Sequence, residues 1–158
     1  MSKDFTVILM RHGEAVSTCD NPQRPLSIEG RQHAERMASW LVATGYRVDE
    51  IVHSEKVRAR QTAKVMGRRL DIHASKVHQI GGLDPGDDPL SLADGLEAER
   101  RSVMVVGHLP YLARLASTLL VGDPDRLHLR FLDAGLVVLT RGPGGWQLEA
   151  AVGHDLVP

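Results

Sequence analysis

The stretch Val7-Ile8-Leu9-Met10-Arg11-His12-Gly13-Glu14-Ala15 decides how this chain is read. The apolar run from Phe5 to Met10 is long enough for one strand. Being apolar at both odd and even positions, it suits a strand covered on both faces, as in the centre of a parallel sheet. The run stops abruptly at Arg-His-Gly. In open α/β sheets, ligands bind just beyond the carboxyl ends of such strands. Arg11 and His12 are thus delivered to the place where that architecture keeps its site, and Gly13 is expected to let the chain turn sharply there.

Composition narrows the rest. The chain has 158 residues, 42% hydrophobic and 25% charged, which suits one soluble domain, residues 1–158, with a sizeable core. Nineteen Lys and Arg against twenty Asp and Glu give a net charge of −1, so nothing calls for nucleic acid as a partner. The one cysteine, Cys19, rules out a disulfide framework and a thiolate metal cluster and reads as a plain free thiol. No apolar run approaches a membrane span. Met1-Ser2-Lys3-Asp4 lacks the pattern of a signal peptide, so a cytoplasmic location is the expectation.

Strand and helix signals alternate along the chain. After a polar loop, Val16 to Pro25, Ser27 is placed to cap a helix whose apolar stripe is Ala34, Met37, Ala38 and Leu41, with Gly45 as its stop. Glu50 to Ser54 reads as a second strand. The next helix has Ala59, Thr62, Ala63, Met66 and Leu70 on one face and Arg58, Arg60, Lys64, Arg68 and Arg69 as polar cover. Val77 to Ile80 is a third strand, Gly81 to Pro89 a turn-rich loop, and Leu90 to Arg100 a helix. Ser102 to Gly107 is the second strongly buried strand; it ends in Gly107-His108-Leu109-Pro110, where Pro110 suits the first turn of a helix running to about Val121. Leu136 to Thr140, a turn at Gly142 to Gly145, and Trp146 to Val152 make a terminal hairpin. The expected architecture is a three-layer α/β/α sandwich: a mainly parallel sheet, helices on both faces and a C-terminal antiparallel hairpin.

Both buried strands end in a histidine beside a glycine, His12-Gly13 and Gly107-His108. Parallel neighbours would bring both imidazoles to one sheet edge. A third strand end, Ser54-Glu55-Lys56-Val57-Arg58-Ala59, passes into a helix with Arg58 on its first turn, where unpaired amides favour an anion. Two arginines, two histidines and a helix start would form a cationic pocket fit for a phosphoryl group, since guanidinium forks match phosphate oxygens. A neutral histidine at its centre could act as nucleophile, and flanking arginines would disfavour its imidazolium form.

These segments resemble the signature of a known family. Leu9-Met10-Arg11-His12-Gly13-Glu14-Ala15, Ser54-x-x-x-Arg58-Ala59-x-Gln61-Thr62 and Val106-Gly107-His108-Leu109-Pro110 look like the three segments of the phosphoglycerate mutase-like histidine phosphatase superfamily. With Pro25-Leu26-Ser27-x-x-Gly30 and the overall length, the chain is most similar to the small bacterial branch of SixA-type phosphohistidine phosphatases. The resemblance implies that His12 becomes phosphorylated and that Arg11 and Arg58 clamp the phosphoryl oxygens. It implies also that His108 donates a hydrogen bond to the same group, with Gly13 beside them in the phosphate-binding loop. It implies no metal and no cofactor.

The chain departs from that pattern in places. Glu55 stands where the family usually has Pro. Only fifty positions separate Arg58 from His108, too few for the insertion that carries a catalytic acid in larger members. The other branch of the superfamily places Asp directly after the second histidine, where this chain has Leu109. Glu14, Asp84, Asp87 and Asp88 are candidate proton donors, although turn chemistry explains the three aspartates equally well. A weak acid and an open pocket suit phosphohistidine displayed on another protein. Two other readings stay open: a phosphatase for a small phosphorylated metabolite, and a non-catalytic module that binds a phosphorylated partner. His33, His53, His73, His78, His128 and His154 read as surface or packing residues, with His33 solvent-exposed, and Trp40 and Trp146 as packing. The basic face from Arg58 to Arg69 reads as solvated helix surface or as a dock for an acidic partner.

Overall fold

Burial on both sides of one central strand organises the molecule. In the computed structural model, which describes residues 5–158, β1 (Thr6–Arg11) is buried at every position but the last. Ile8 and Met10 point into one core and Val7 and Leu9 into the other. Each such side chain contributes about 1.5–3 kcal/mol on full burial, which explains why Val7 to Met10 are apolar on both faces. Met1–Asp4, read above for a leader pattern, lie outside the described residues.

The remaining elements are α1 (Ile28–Thr44), β2 (Glu50–His53), α2 (Val57–Arg69), β3 (Val77–Gln79), α3 (Leu90–Ala98), β4 (Val103–Gly107), α4 (Tyr111–Val121), β5 (Leu136–Gly142) and β6 (Gly145–Val152). They form a six-stranded sheet in the order β3-β2-β4-β1-β5-β6. The first four are mutually parallel; β5 and β6 run antiparallel to their neighbours. Residues of α1 and α2 pack with Ile8 and Met10, and residues of α3 and α4 with Val7 and Leu9. The expected three-layer arrangement is what forms.

Local signals hold for α1. The Ser27 hydroxyl accepts from the Gly30 amide, Gly45 takes the left-handed conformation at φ 73°, and Ala34, Met37, Ala38 and Leu41 are all buried. Several boundaries move. Phe5 stands outside β1, with φ 65°, and Arg11 is its last residue. Ser54 lies just past β2. Helix α3 stops at Ala98, not Arg100, because Glu99 is extended and its carboxylate accepts from the Arg100 and Arg101 amides. Pro110 occupies the N-cap of α4, one place before the helix proper. The hairpin pairs Gly142 with Gly145, so its loop is only Pro143-Gly144. His33 is half-buried, not solvent-exposed: its ring stacks on His154 with centroids 3.7 Å apart, because the C-terminal segment folds back on α1. No helix among the described residues is long and apolar enough to cross a membrane.

Candidate active site

Strands β1 and β4 lie side by side with Arg11 opposite Gly107. His12, the residue just past β1, continues the pairing, its amide donating to the Gly107 carbonyl at 3.0 Å. His12 and His108 therefore leave the sheet at one edge, with ring centroids 5.1 Å apart and planes inclined by 57°. Both are buried, His12 at 8% exposure and His108 at 3%.

The hydrogen bonds of His12 fix its tautomer. Nδ1 lies 2.7 Å from the Gly13 carbonyl oxygen. A carbonyl only accepts, so Nδ1 carries the proton and Nε2 carries the lone pair. Arg58 Nε, 3.4 Å away, donates toward that lone pair. Burial, opposed by the Gly13 carbonyl and reinforced by Arg58 and Arg11, holds the His12 imidazole down to about 4. Burial and neighbouring cationic groups hold His108 to about 4 as well. The arginines do favour a neutral histidine, as expected, but loss of water is the larger cause.

Two arginines flank the pair. Arg58 projects from the first turn of α2, lowered from its ordinary value by burial and by Arg24. Arg11 donates to the Phe131 carbonyl at 2.9 Å and lies 3.4 Å from an Asp133 carboxylate oxygen. The same turn reaches His12: the Ala134 amide donates to the His12 carbonyl at 3.0 Å, with Ala134 in the left-handed region at φ 59°. This site can receive a compact anion between guanidinium groups and present an unprotonated imidazole nitrogen to it.

The loop bearing His12 is tied to both neighbouring helices. The Gly13 amide donates to Thr62 Oγ1 at 3.0 Å, and that hydroxyl donates to the Arg58 carbonyl at 2.8 Å. Gln61 accepts from the Leu26 amide at 2.7 Å. Gly13 is not in the left-handed region, so a sharp turn is not what demands glycine. Close approach demands it: a Cβ there would sit 2.7 Å from the Gly30 carbonyl oxygen, and one on Gly30 would sit 2.0 Å from that of Glu14.

Arg11, His12, Gly13, Arg58 and His108 are thus brought together. The candidate proton donors are more dispersed. Glu14 is exposed, and its carbonyl accepts from the Ser27 amide. Asp87 accepts from the Asp84 amide and Asp88 from the Leu90 amide, both at 2.9 Å, which are turn-forming uses. Asp84 lines a small cavity of about 110 Å³ with Ser54 and Glu55. Sequence reasoning missed three contributors: Ser54, whose hydroxyl is 2.6 Å from His108 Nε2; Asp133; and Thr62 as the tie between loop and helix. Asp133-Ala134-Gly135, a polar turn before a strand, was the available signal. It required knowing that β5 runs antiparallel beside β1, which puts its beginning at the edge where β1 ends.

Comparison with known proteins agrees with this geometry. The family model of the histidine phosphatase superfamily (branch 1) matches residues 7–87. The phosphohistidine phosphatase SixA of Escherichia coli K12 is 28% identical over 90% of this chain and 92% of its own. A structure of the protein histidine phosphatase SixA complexed with tungstate superposes with a TM-score of 0.82 at 25% identity, covering 95% of this chain and 97% of the other. A protein proposed to be a SixA phosphohistidine phosphatase, from Agrobacterium tumefaciens, superposes with a TM-score of 0.75 at 29% identity over 94% and 97% of the two chains.

Proposed function

The chain belongs to the histidine phosphatase superfamily, and on that premise we propose that it dephosphorylates phosphohistidine on a signalling or phosphotransfer protein. The observation that carries the reading is the state of His12. Its Nδ1 proton is committed to the Gly13 carbonyl, and its Nε2 lone pair faces the Arg58 guanidinium. Nε2 attacks phosphorus in line, the P–N bond to the substrate imidazole breaks, and that imidazole, already protonated on its other ring nitrogen, departs as the neutral base. Water then attacks the phosphoryl group on His12, the second P–N bond breaks, and inorganic phosphate leaves. Arg11, Arg58 and His108 stabilise the charge on the transferring group in both steps, with Gly13 shaping the loop around it. The reaction so written needs no metal.

The name and extent of the SixA relatives support the phosphohistidine assignment, and tungstate in one of them, an oxyanion of phosphate shape, supports a phosphoryl site. Imidazole is also a leaving group that asks little of a general acid, which suits a site where Asp87 and Asp88 are engaged in turns.

The test is phosphate release from a histidine-phosphorylated carrier protein, in chelator, by wild type and His12→Ala, beside a panel of small phosphoesters. Fast release that disappears in His12→Ala supports the reading. Turnover of esters alone moves the substrate to a small metabolite, and binding without turnover of anything leaves a non-catalytic module.

A further inference from the structure

Helix α2 carries more charge than the reaction uses. Five of its thirteen residues are basic and none is acidic, although the whole chain has a net charge of only −1. Arg58 belongs to the site. Arg60, Lys64 and Arg68 recur every fourth residue, are exposed, and form no ion pair among the described residues. Five arginines elsewhere are matched by carboxylates: Arg11 with Asp133, Arg47 with Asp49, Arg101 with Glu50 and Glu99, Arg114 with Asp125, and Arg141 with Glu97.

These three cations edge a cavity of about 430 Å³ between α2 and the sheet-edge strand β3. Its floor includes Ile72 and Val77, and no acidic side chain lines it. Gln79 lines both this cavity and the small one that reaches Ser54 and Glu55, so the surface is continuous with the rim of the active site.

We propose that this cationic groove docks an acidic segment of the phosphoprotein substrate. The inference rests on the phosphohistidine reading for the identity of the partner. Charge complementarity selects an acidic occupant. Spacing supports a polypeptide: successive cations climb about 6 Å along the helix, close to the ~6.6 Å between alternate residues of an extended chain. Gln79, shared with the small cavity that reaches Ser54, sets the end of the acidic segment at the rim of the active site. Such a surface speeds encounter and selects partners more than it tightens the bound phosphoryl group.

The experiment compares wild type, Arg60→Gln/Lys64→Gln/Arg68→Gln, and a control losing three cations elsewhere, Arg47→Gln/Arg100→Gln/Arg126→Gln. Substrates are a histidine-phosphorylated carrier with an acidic surface, and p-nitrophenyl phosphate. In the groove variant KM for the carrier is expected to rise about tenfold and lose its salt dependence, with kcat and ester turnover unchanged. Binding of a fluorescent alternating Glu-Ala peptide is measured in parallel, and it too is expected to fall only in the groove variant. Equal carrier KM in wild type and groove variant, or equal losses in both variants, would overturn the proposal. If wild type releases no phosphate from the carrier, the phosphohistidine reading fails and the peptide alone decides. Binding lost in the groove variant then still supports an acidic dock, whereas no binding by wild type overturns it.

Discussion

Ser54 Oγ and His108 Nε2 lie 2.6 Å apart, joining the end of β2 to the end of β4 inside the site. The Lys56 amide donates to the same hydroxyl at 3.3 Å, so Ser54 holds the turn into α2 as well as the ring. A hydroxyl can give or take a hydrogen bond, so this one orients the His108 ring whichever of its nitrogens carries the proton.

Ser54 is therefore a positioning residue, and its loss is expected to act through His108. Ser54→Ala should lower kcat about tenfold, the equivalent of one hydrogen bond of roughly 1.4 kcal/mol, with little change in KM for a small phosphoester. Ser54→Thr, which keeps the hydroxyl, should restore most of the rate. Nitrogen NMR of His108 should report loss of the hydrogen bond at Nε2 in the Ala variant alone. Wild-type turnover in Ser54→Ala would remove Ser54 from the mechanism.

Asp133 places a carboxylate 3.4 Å from the Arg11 guanidinium, next to where an anionic substrate must bind. Both side chains are about a third exposed, so the pair itself contributes less than about 1 kcal/mol to stability. Arg11 is also held by the Phe131 carbonyl and does not depend on Asp133 for its direction. Asp133→Asn should then tighten inhibition by tungstate a few-fold, since a repelling charge is gone. Weaker inhibition would mean that the carboxylate serves chiefly to aim Arg11.

Much of this site was legible because its parts follow strong local signals. His12 and His108 each succeed a strand buried on both faces, and Arg58 opens a helix after a third strand end. Ser27 and Gly45 bound α1 as their chemistry requires. What was not legible depends on neighbours distant in sequence. Arg11 meets the Phe131 carbonyl 120 residues along the chain, and Ser54 meets His108 across 54. No periodicity states which strands adjoin, so the polar turn at Asp133 could not be set beside Arg11. His33 looked like solvent-facing helix because its stacking partner, His154, comes from the other end of the chain. Gly13 was recognised, but its need for close packing against Gly30 arises only when α1 docks on the loop.

Acid should destabilise the protein through the two buried imidazoles. Unfolded histidines protonate near the ordinary 6.5, whereas His12 and His108 do so only at about 4. Between those values the unfolded chain binds more protons, so stability rises with pH there and falls as pH drops from about 6.5 toward 4. Below 4 both states are protonated and the loss levels off. Each histidine contributes at most ~3 kcal/mol, and less than twice that together because they interact. Urea midpoints for wild type and His12→Gln should converge as pH falls through this window, since only wild type pays the full penalty. Parallel curves would mean that His12 titrates near its ordinary value in the fold.

The glycines offer the sharpest contrast between a position that packing closes and one that it leaves open. A Cβ on Gly30 would stand 2.0 Å from the Glu14 carbonyl oxygen and 2.8 Å from its amide nitrogen, backbone atoms that cannot swing aside. Gly30→Ala must therefore part α1 from the loop that carries His12, at a cost on the order of 3 kcal/mol. For a chain of this size that lowers the melting temperature by roughly 6–12 °C. Activity should fall further than stability, because the displaced segment is the one that aligns the nucleophile with Arg58. Gly95, inside α3, has nothing within 4 Å of its would-be Cβ. Gly95→Ala should raise stability by about 0.5–1 kcal/mol through the smaller entropy of the unfolded chain, and leave turnover unchanged. Thermal melts and phosphate release on the two variants check both halves. If Gly30→Ala melts and turns over like wild type, the close approach of α1 to the His12 loop does not hold the site together.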